Sequence, residues 1–185
     1  MSQVNNLIAN YRRHVGIPWQ ANLAGRQRVW FAVYPPSEER RVRVRVKEFE
    51  IATLEAKHRW KPVDITNLPA EWLAAHEYRE AYFEEPSALG MIAEDLKAHV
   101  VSVLKDACQA GDVDKDTVVA VLGAGSLFGF LHLSDVISKL EEAIRGRLLV
   151  FFPGEYERSV YRFMDARDGF NYMAVPITCS EGLQI

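Results

Sequence analysis

The segment Gly123-Ala124-Gly125-Ser126-Leu127-Phe128-Gly129-Phe130 comes nearest to a chemical motif. It follows Thr117 to Leu122 (TVVAVL), a continuous apolar run typical of a strand buried on both faces. The carboxyl end of such a strand is where an open α/β sheet places ligands. Amides freed by glycines at a following helix N-terminus can receive a phosphate, which makes Gly123, Gly125 and Ser126 weak ligand-loop candidates. A nucleotide-hydrolysing loop needs G-x-x-x-x-G-K-[ST], with lysine on the phosphates and a hydroxyl on magnesium. Here no lysine follows until Lys139. The dinucleotide fingerprint needs a glycine where Phe128 stands, and so does a G-x-S-x-G nucleophile elbow at Ser126. The structural alternative is a tight turn in which glycines permit positive φ while Leu127, Phe128 and Phe130 dock into the core.

Other reactive residue types form no recognisable set. His14, His58, His76, His99 and His132 show neither H-x-x-x-H nor H-E-x-x-H spacing, so no zinc site is expected. Glu155, Asp165 and Asp168 follow a strand, where acids serve as metal ligands or, more commonly, as salt bridges and caps. Cys108 and Cys179 lack a C-x-x-C partner and read as free thiols of a cytosolic protein. Tyr156, Tyr161, Phe163, Phe170 and Tyr172 interleave with Arg158, Arg162 and Arg167. Such mixtures suit partner hot spots or base stacking, or a long loop whose aromatics pack back onto a sheet edge. Tyr156, Arg158, Tyr161 and Arg162 are the partner-surface candidates.

The elements that must position these residues follow from periodicity. Val4, Leu7, Ile8 and Tyr11 predict a helix over Ser2 to His14, capped by Ser2. Arg28 to Tyr34 reads as a strand. Residues 41–47 alternate arginine with valine as a strand would. Yet Ser37, Glu38 and Glu39 form a helix start, and we favour a helix from Ser37 to Lys57. Trp60 to Ile65 is a second strand. A helix starting at Pro69 runs from Ala70 to Phe83, and Pro86 restarts a long one to Ala110. Ser134 caps a helix to Ile144, Arg147 to Phe152 is a buried strand ending at Pro153-Gly154, and Met173 to Ile177 is a short last strand. Alternating strands and helices imply a single three-layer, Rossmann-like α/β domain over residues 1–185. Its sheet is mostly parallel, with about five strands flanked by helices.

The chain has 185 residues, 49% hydrophobic and 25% charged, a balance that argues against disorder. No apolar run reaches the roughly 20 residues a membrane crossing needs, and no signal peptide is visible. The net charge of −3 hides an asymmetry. Residues 1–47 hold nine basic groups against two acids, and the remainder thirteen against twenty-three. Such polarity marks a surface for phosphate or an acidic partner, or two halves that neutralise each other on folding.

Several longer segments, taken together, resemble one family. They are Tyr11-Arg12-Arg13 with Ile17-Pro18-Trp19, Phe49-Glu50-Ile51-Ala52-Thr53, and the glycine segment 123–130. Val150-Phe151-Phe152-Pro153-Gly154-Glu155-Tyr156 follows, then Asp168-Gly169-Phe170-Asn171-Tyr172 with Ala174-Val175-Pro176-Ile177. In this order they resemble the BrxB family of small proteins from BREX bacteriophage-defence systems. The resemblance implies a cytoplasmic, non-enzymatic assembly component that contacts other BREX proteins, with the phosphatase-like PglZ as the expected partner. It implies no catalytic residue and no cofactor. Two other functions fit the residues: a regulatory domain binding a nucleotide or phosphate ligand at the glycine segment, and an accessory DNA contact through the basic N-terminal quarter.

Overall fold

The computed structural model describes residues 2–167 and 169–180. Helix α1 (Gln3–Val15) opens the chain, with the Ser2 hydroxyl accepting from the Asn5 amide as its N-cap. Its buried stripe is Val4, Leu7, Ile8 and Tyr11, as the periodicity requires. Strand β1 (Val29–Tyr34) is followed by helices α2 (Glu39–Val44) and α3 (Val46–Glu55). The ambiguous stretch 41–47 is therefore helical, with a break at Arg45. Next come β2 (Arg59–Asp64), the short helices α4 (Leu68–Ala74) and α5 (Arg79–Glu84), a 3-10 turn at Pro86–Ile92, and α6 (Ala93–Gln109). Strand β3 (Thr117–Leu122) leads through the glycine turn to α7 (Leu133–Ser138), β4 (Arg147–Glu157), β5 (Val160–Phe163) and β6 (Val175–Ile177).

The sheet order is β2-β3-β4-β1-β6, with every pairing along that path parallel. Side chains alternate between two cores, as the period of two demands. Phe31, Val33, Val119, Val121, Val150 and Phe152 face α6 and α7. Trp30, Ala32, Val118, Ala120, Leu149 and Phe151 face α1 and α3. The result is the expected three-layer arrangement with a mostly parallel sheet.

Besides the helix expected over Ser37 to Lys57, which spans 39–55, and the last strand, which begins at Val175 rather than Met173, four expected boundaries shift. The helix expected over Ala70 to Phe83 is two helices separated by a turn at 75–78. The segment after Pro86 begins as a 3-10 turn and becomes α-helical only at Ala93. The helix expected from Ser134 to Ile144 is α-helical only to Ser138 and is entered at His132. Beyond it, Leu140 and Ala143 donate to carbonyls three residues back, which tightens the chain into turns.

The fourth correction is the largest. Strand β4 does not end at Pro153-Gly154 but continues to Glu157 and folds back as β5, so the expected long loop is a hairpin. Gly154 permits this, because a Cβ there would overlap the backbone of Arg162 across the hairpin. The two turn residues, Arg158 and Ser159, both have positive φ, 51° and 66°. Two-residue hairpins demand that geometry and normally fill it with Asn-Gly. A non-glycine residue there is strained. Ser159→Gly should therefore raise the unfolding free energy by about 0.5 kcal/mol or more, read as a higher urea midpoint.

At the opposite end of the sheet, the Arg147 guanidinium is buried between the rings of Trp19, 4.6 Å away, and Trp30, 5.9 Å away. It donates to the carbonyls of Gln20 and Gly146, so cation–π contact and backbone oxygens replace a carboxylate partner. His14 packs edge-on against Trp30. Burial, and then the Arg147 charge, lower the His14 pKa to about 4. The folded protein therefore binds fewer protons than the unfolded chain between about pH 4 and the ordinary histidine range. Stability conferred by neutral His14 is lost as pH falls through that window. Urea midpoints measured across it should fall less steeply for His14→Phe than for the wild type.

Candidate functional site

Strands β2 and β3 end side by side, with Asp64 paired to Leu122. Beyond them Gly123 takes φ +81°, and Ala124–Leu127 form a 3-10 turn. The position admits only glycine, because a Cβ on Gly123 would lie 2.5 Å from the Thr66 nitrogen and 2.7 Å from its Cα. Thr66 is held by Asp64, which accepts from both its amide and its hydroxyl. Arg43 closes the set. It donates to Glu39 at 2.8 Å, to Asp64 at 3.2 Å and to the Thr66 hydroxyl. Partial burial alone would raise the Asp64 pKa, but hydrogen bonds from Thr66 and the Arg43 charge outweigh it and hold the carboxyl below its ordinary range.

Of the three ligand-loop candidates, Ser126 is held by the structure around it. Ser126 Oγ donates to the Ile65 carbonyl at 3.1 Å, which ties the turn to the end of β2. The amides of Ser126, Phe128, Phe130 and Leu131 donate within the turn itself. Gly125 faces Pro153 and Met164. A phosphate cradle needs amides pointing outward, and these four point at the turn's own carbonyls. Leu127 is fully buried, as a docking residue should be. Phe128 and Phe130 differ from expectation, remaining 37% and 43% exposed. Phe130 lines an apolar pocket with Trp72, Leu73 and Phe83, and Phe128 packs edge-on to Phe163.

The partner-surface candidates separate. Arg158 stands exposed at the hairpin turn, and exposed Arg162 reaches Glu155 at 3.4 Å. Tyr156 is half-buried beside Tyr161. Tyr161 does not belong to the surface. It is fully buried, packs against Phe31, Phe152 and Phe170, and donates its hydroxyl to the Ala174 carbonyl at 2.7 Å. Alternation along β5 explains the split, because Tyr161 and Phe163 point inward while Arg162 points out. Of the three acids considered as metal ligands, Glu155 pairs with Arg162, Asp165 is exposed, and Asp168 lies outside the described residues.

The basic N-terminal quarter is largely neutralised. Arg12, Arg26, Arg43, Arg45 and Lys47 reach the acids Glu55, Glu141, Asp64, Glu48 and Glu50, while Arg41 pairs with Glu38. No helix among the described residues is long and apolar enough to cross a membrane.

Gly123→Ala combines positive φ with overlap against Thr66, and should destabilise the protein by about 2 kcal/mol or more, read by urea or thermal denaturation. Gly129→Ala, with a positive φ but open space around it, should cost less.

No curated protein and no solved structure matches the chain. A family model described as BREX protein BrxB matches residues 62–177. That span contains the glycine turn, the β4–β5 hairpin and the 169–177 segment, but not the motifs before Pro62. With more than half of its length matched, the chain belongs to the BrxB family.

Proposed function

We propose that this chain is a non-enzymatic assembly component of a BREX bacteriophage-defence system, acting in the cytoplasm through contacts with other BREX proteins. Family membership carries the reading, since it implies a BREX component. Two features of the site support a binding role over a catalytic one. The hydroxyl and four amides of the glycine turn are used internally. The β4–β5 hairpin projects Arg158 and Arg162 beside a half-buried Tyr156, the residue mixture of protein contact surfaces. Tyr161 and its aromatic neighbours pack beneath that surface, and a preorganised surface lowers the entropy cost of binding. The phosphatase-like PglZ protein is the partner we expect there.

Affinity purification of the tagged protein from cells carrying the whole defence operon should recover other BREX members, PglZ foremost. Combined Arg158→Glu and Arg162→Glu substitutions should reduce that recovery several-fold without changing the melting temperature. Recovery of no BREX protein would sink the reading.

A further inference from the structure

The connection between β2 and β3 holds an apolar pocket of about 290 Å³. Trp72 and Leu73 of α4, Phe83 of α5, Leu89, Leu96 of α6 and Phe130 of the glycine turn form its walls. The side-chain hydroxyls on its wall, those of Thr66 and Ser126, are already bonded to Asp64 and to the Ile65 carbonyl. An occupant must therefore bind through apolar area. An apolar cavity of about 150 Å³ accepts benzene, so this one has room for a large aromatic or aliphatic side chain and part of the chain that carries it.

The charges around the pocket decide what carries that side chain. Residues 68–96 contain seven acids and a single cation, Arg79. Helix α5 is a wall of two concavities: Phe83 lines the apolar pocket, while Glu80 and Glu84 line a second one together with Glu77 and Arg79, three acids to one cation. Among the described residues, neither these three glutamates nor Glu71 and Glu85 form an ion pair, whereas Glu94 is paired with Lys97. All five are exposed. The net negative field repels nucleic acid, anionic lipid and acidic peptides, and attracts lysine and arginine.

We propose that this pocket is a docking site for a basic peptide segment of a partner protein. An aromatic or leucine side chain enters between Trp72, Phe83 and Phe130, and flanking Lys or Arg residues meet Glu77, Glu80 and Glu84. The site goes beyond the hairpin surface and is testable without any BREX protein.

The test selects a random peptide library, displayed on phage, against the immobilised full chain. The enriched consensus is then synthesised with a fluorophore and titrated by anisotropy. The expected consensus has one large apolar residue within a few positions of Lys or Arg. Gly90 lines the pocket with open space around it, so Gly90→Leu fills the mouth without a backbone clash. That substitution should weaken binding about tenfold or more. Joint Glu77→Gln, Glu80→Gln and Glu84→Gln should weaken it about fivefold at low salt, with a smaller effect at high salt. Should Gly90→Leu misfold, Phe83→Ser at a 60% exposed position gives the same reading. The proposal is overturned by no consensus, by a consensus lacking the apolar anchor or the basic residues, or by folded variants that bind like the wild type. If Gly90→Leu abolishes peptide binding yet BREX proteins still co-purify, the pocket and the assembly surface are separate sites. If the wild type recovers no BREX protein but binds the basic peptide, only the assembly reading fails.

Discussion

Every residue of β1 and β3, and the first eight of β4, is buried. Strands with no exposed face must be covered on both, and the rest of the molecule follows from that requirement. The chain leaves β1, crosses to the far edge as β2, and then returns through β3 and β4. Right-handed crossovers that reverse direction must change face. The first crossover therefore puts α2 and α3 beside α1, and the later ones put α6 and α7 on the other side. The same reversal brings the ends of β2 and β3 together, where Gly123 and Thr66 approach too closely for any Cβ. The glycine turn is thus a consequence of strand packing, and its Ser126 hydroxyl and four of its amides are consumed in meeting it.

The hairpin after β4 depends on the same burial. Phe152 and Phe31 stack across adjacent strands with ring centroids 5.1 Å apart, and Tyr161 caps them edge-on at 4.8 Å from Phe31. A backbone bridge between Tyr161 and Phe170 draws in the following segment, with amides donating both ways at 2.9 and 2.8 Å. Each aromatic pair adds roughly 0.5–1.5 kcal/mol beyond its area. Several such contacts together exceed the cost of holding Arg158 and Ser159 at positive φ, roughly 1–2 kcal/mol each. Local strain at the turn is accepted because the tertiary packing behind it is larger. That order of magnitudes also explains why turn chemistry, read from Arg158-Ser159 alone, does not announce a hairpin.

Most of the fold was legible because burial leaves a periodic mark. The apolar runs 117–122 and 147–152, the i, i+3, i+4, i+7 stripe of α1, and the Ser2 cap each carry their own local signal. Ser37, Glu38 and Glu39 mark a helix start, and 39–55 is helical apart from a break at Arg45 although Arg41 to Lys47 alternate like a strand; Ser37 itself lies in a 3-10 turn before it. Glu39 pairs with Arg43 one turn on, a contact only a helix makes. What lacked a local signal was harder to read. Tyr161 looked like a surface residue in a run of arginines and aromatics, because its inward direction is set by the β4–β5 register. The neutralisation of the basic quarter depends on acids up to 115 residues away, as Arg26 with Glu141 shows.

The segment Ala70 to Phe83 is two short helices rather than one, for a reason that bears on its use. Helices α4 and α5 are too short to support themselves, since isolated helices shorter than about 12 residues are marginal. The chain breaks at 75–78; α4 leans on α6 and the glycine turn, and α5 on the 3-10 turn at Pro86–Ile92. Trp72, Leu73 and Phe83 then face one another across a gap rather than interdigitating, and Phe83 stays 60% exposed. A packed interior normally leaves no such space. Had stability been the sole pressure on these residues, polar side chains would have served better at the exposed positions. Large apolar groups at the mouth of an open pocket, set among glutamates that outnumber the one nearby cation, Arg79, make physical sense when a further surface completes the packing.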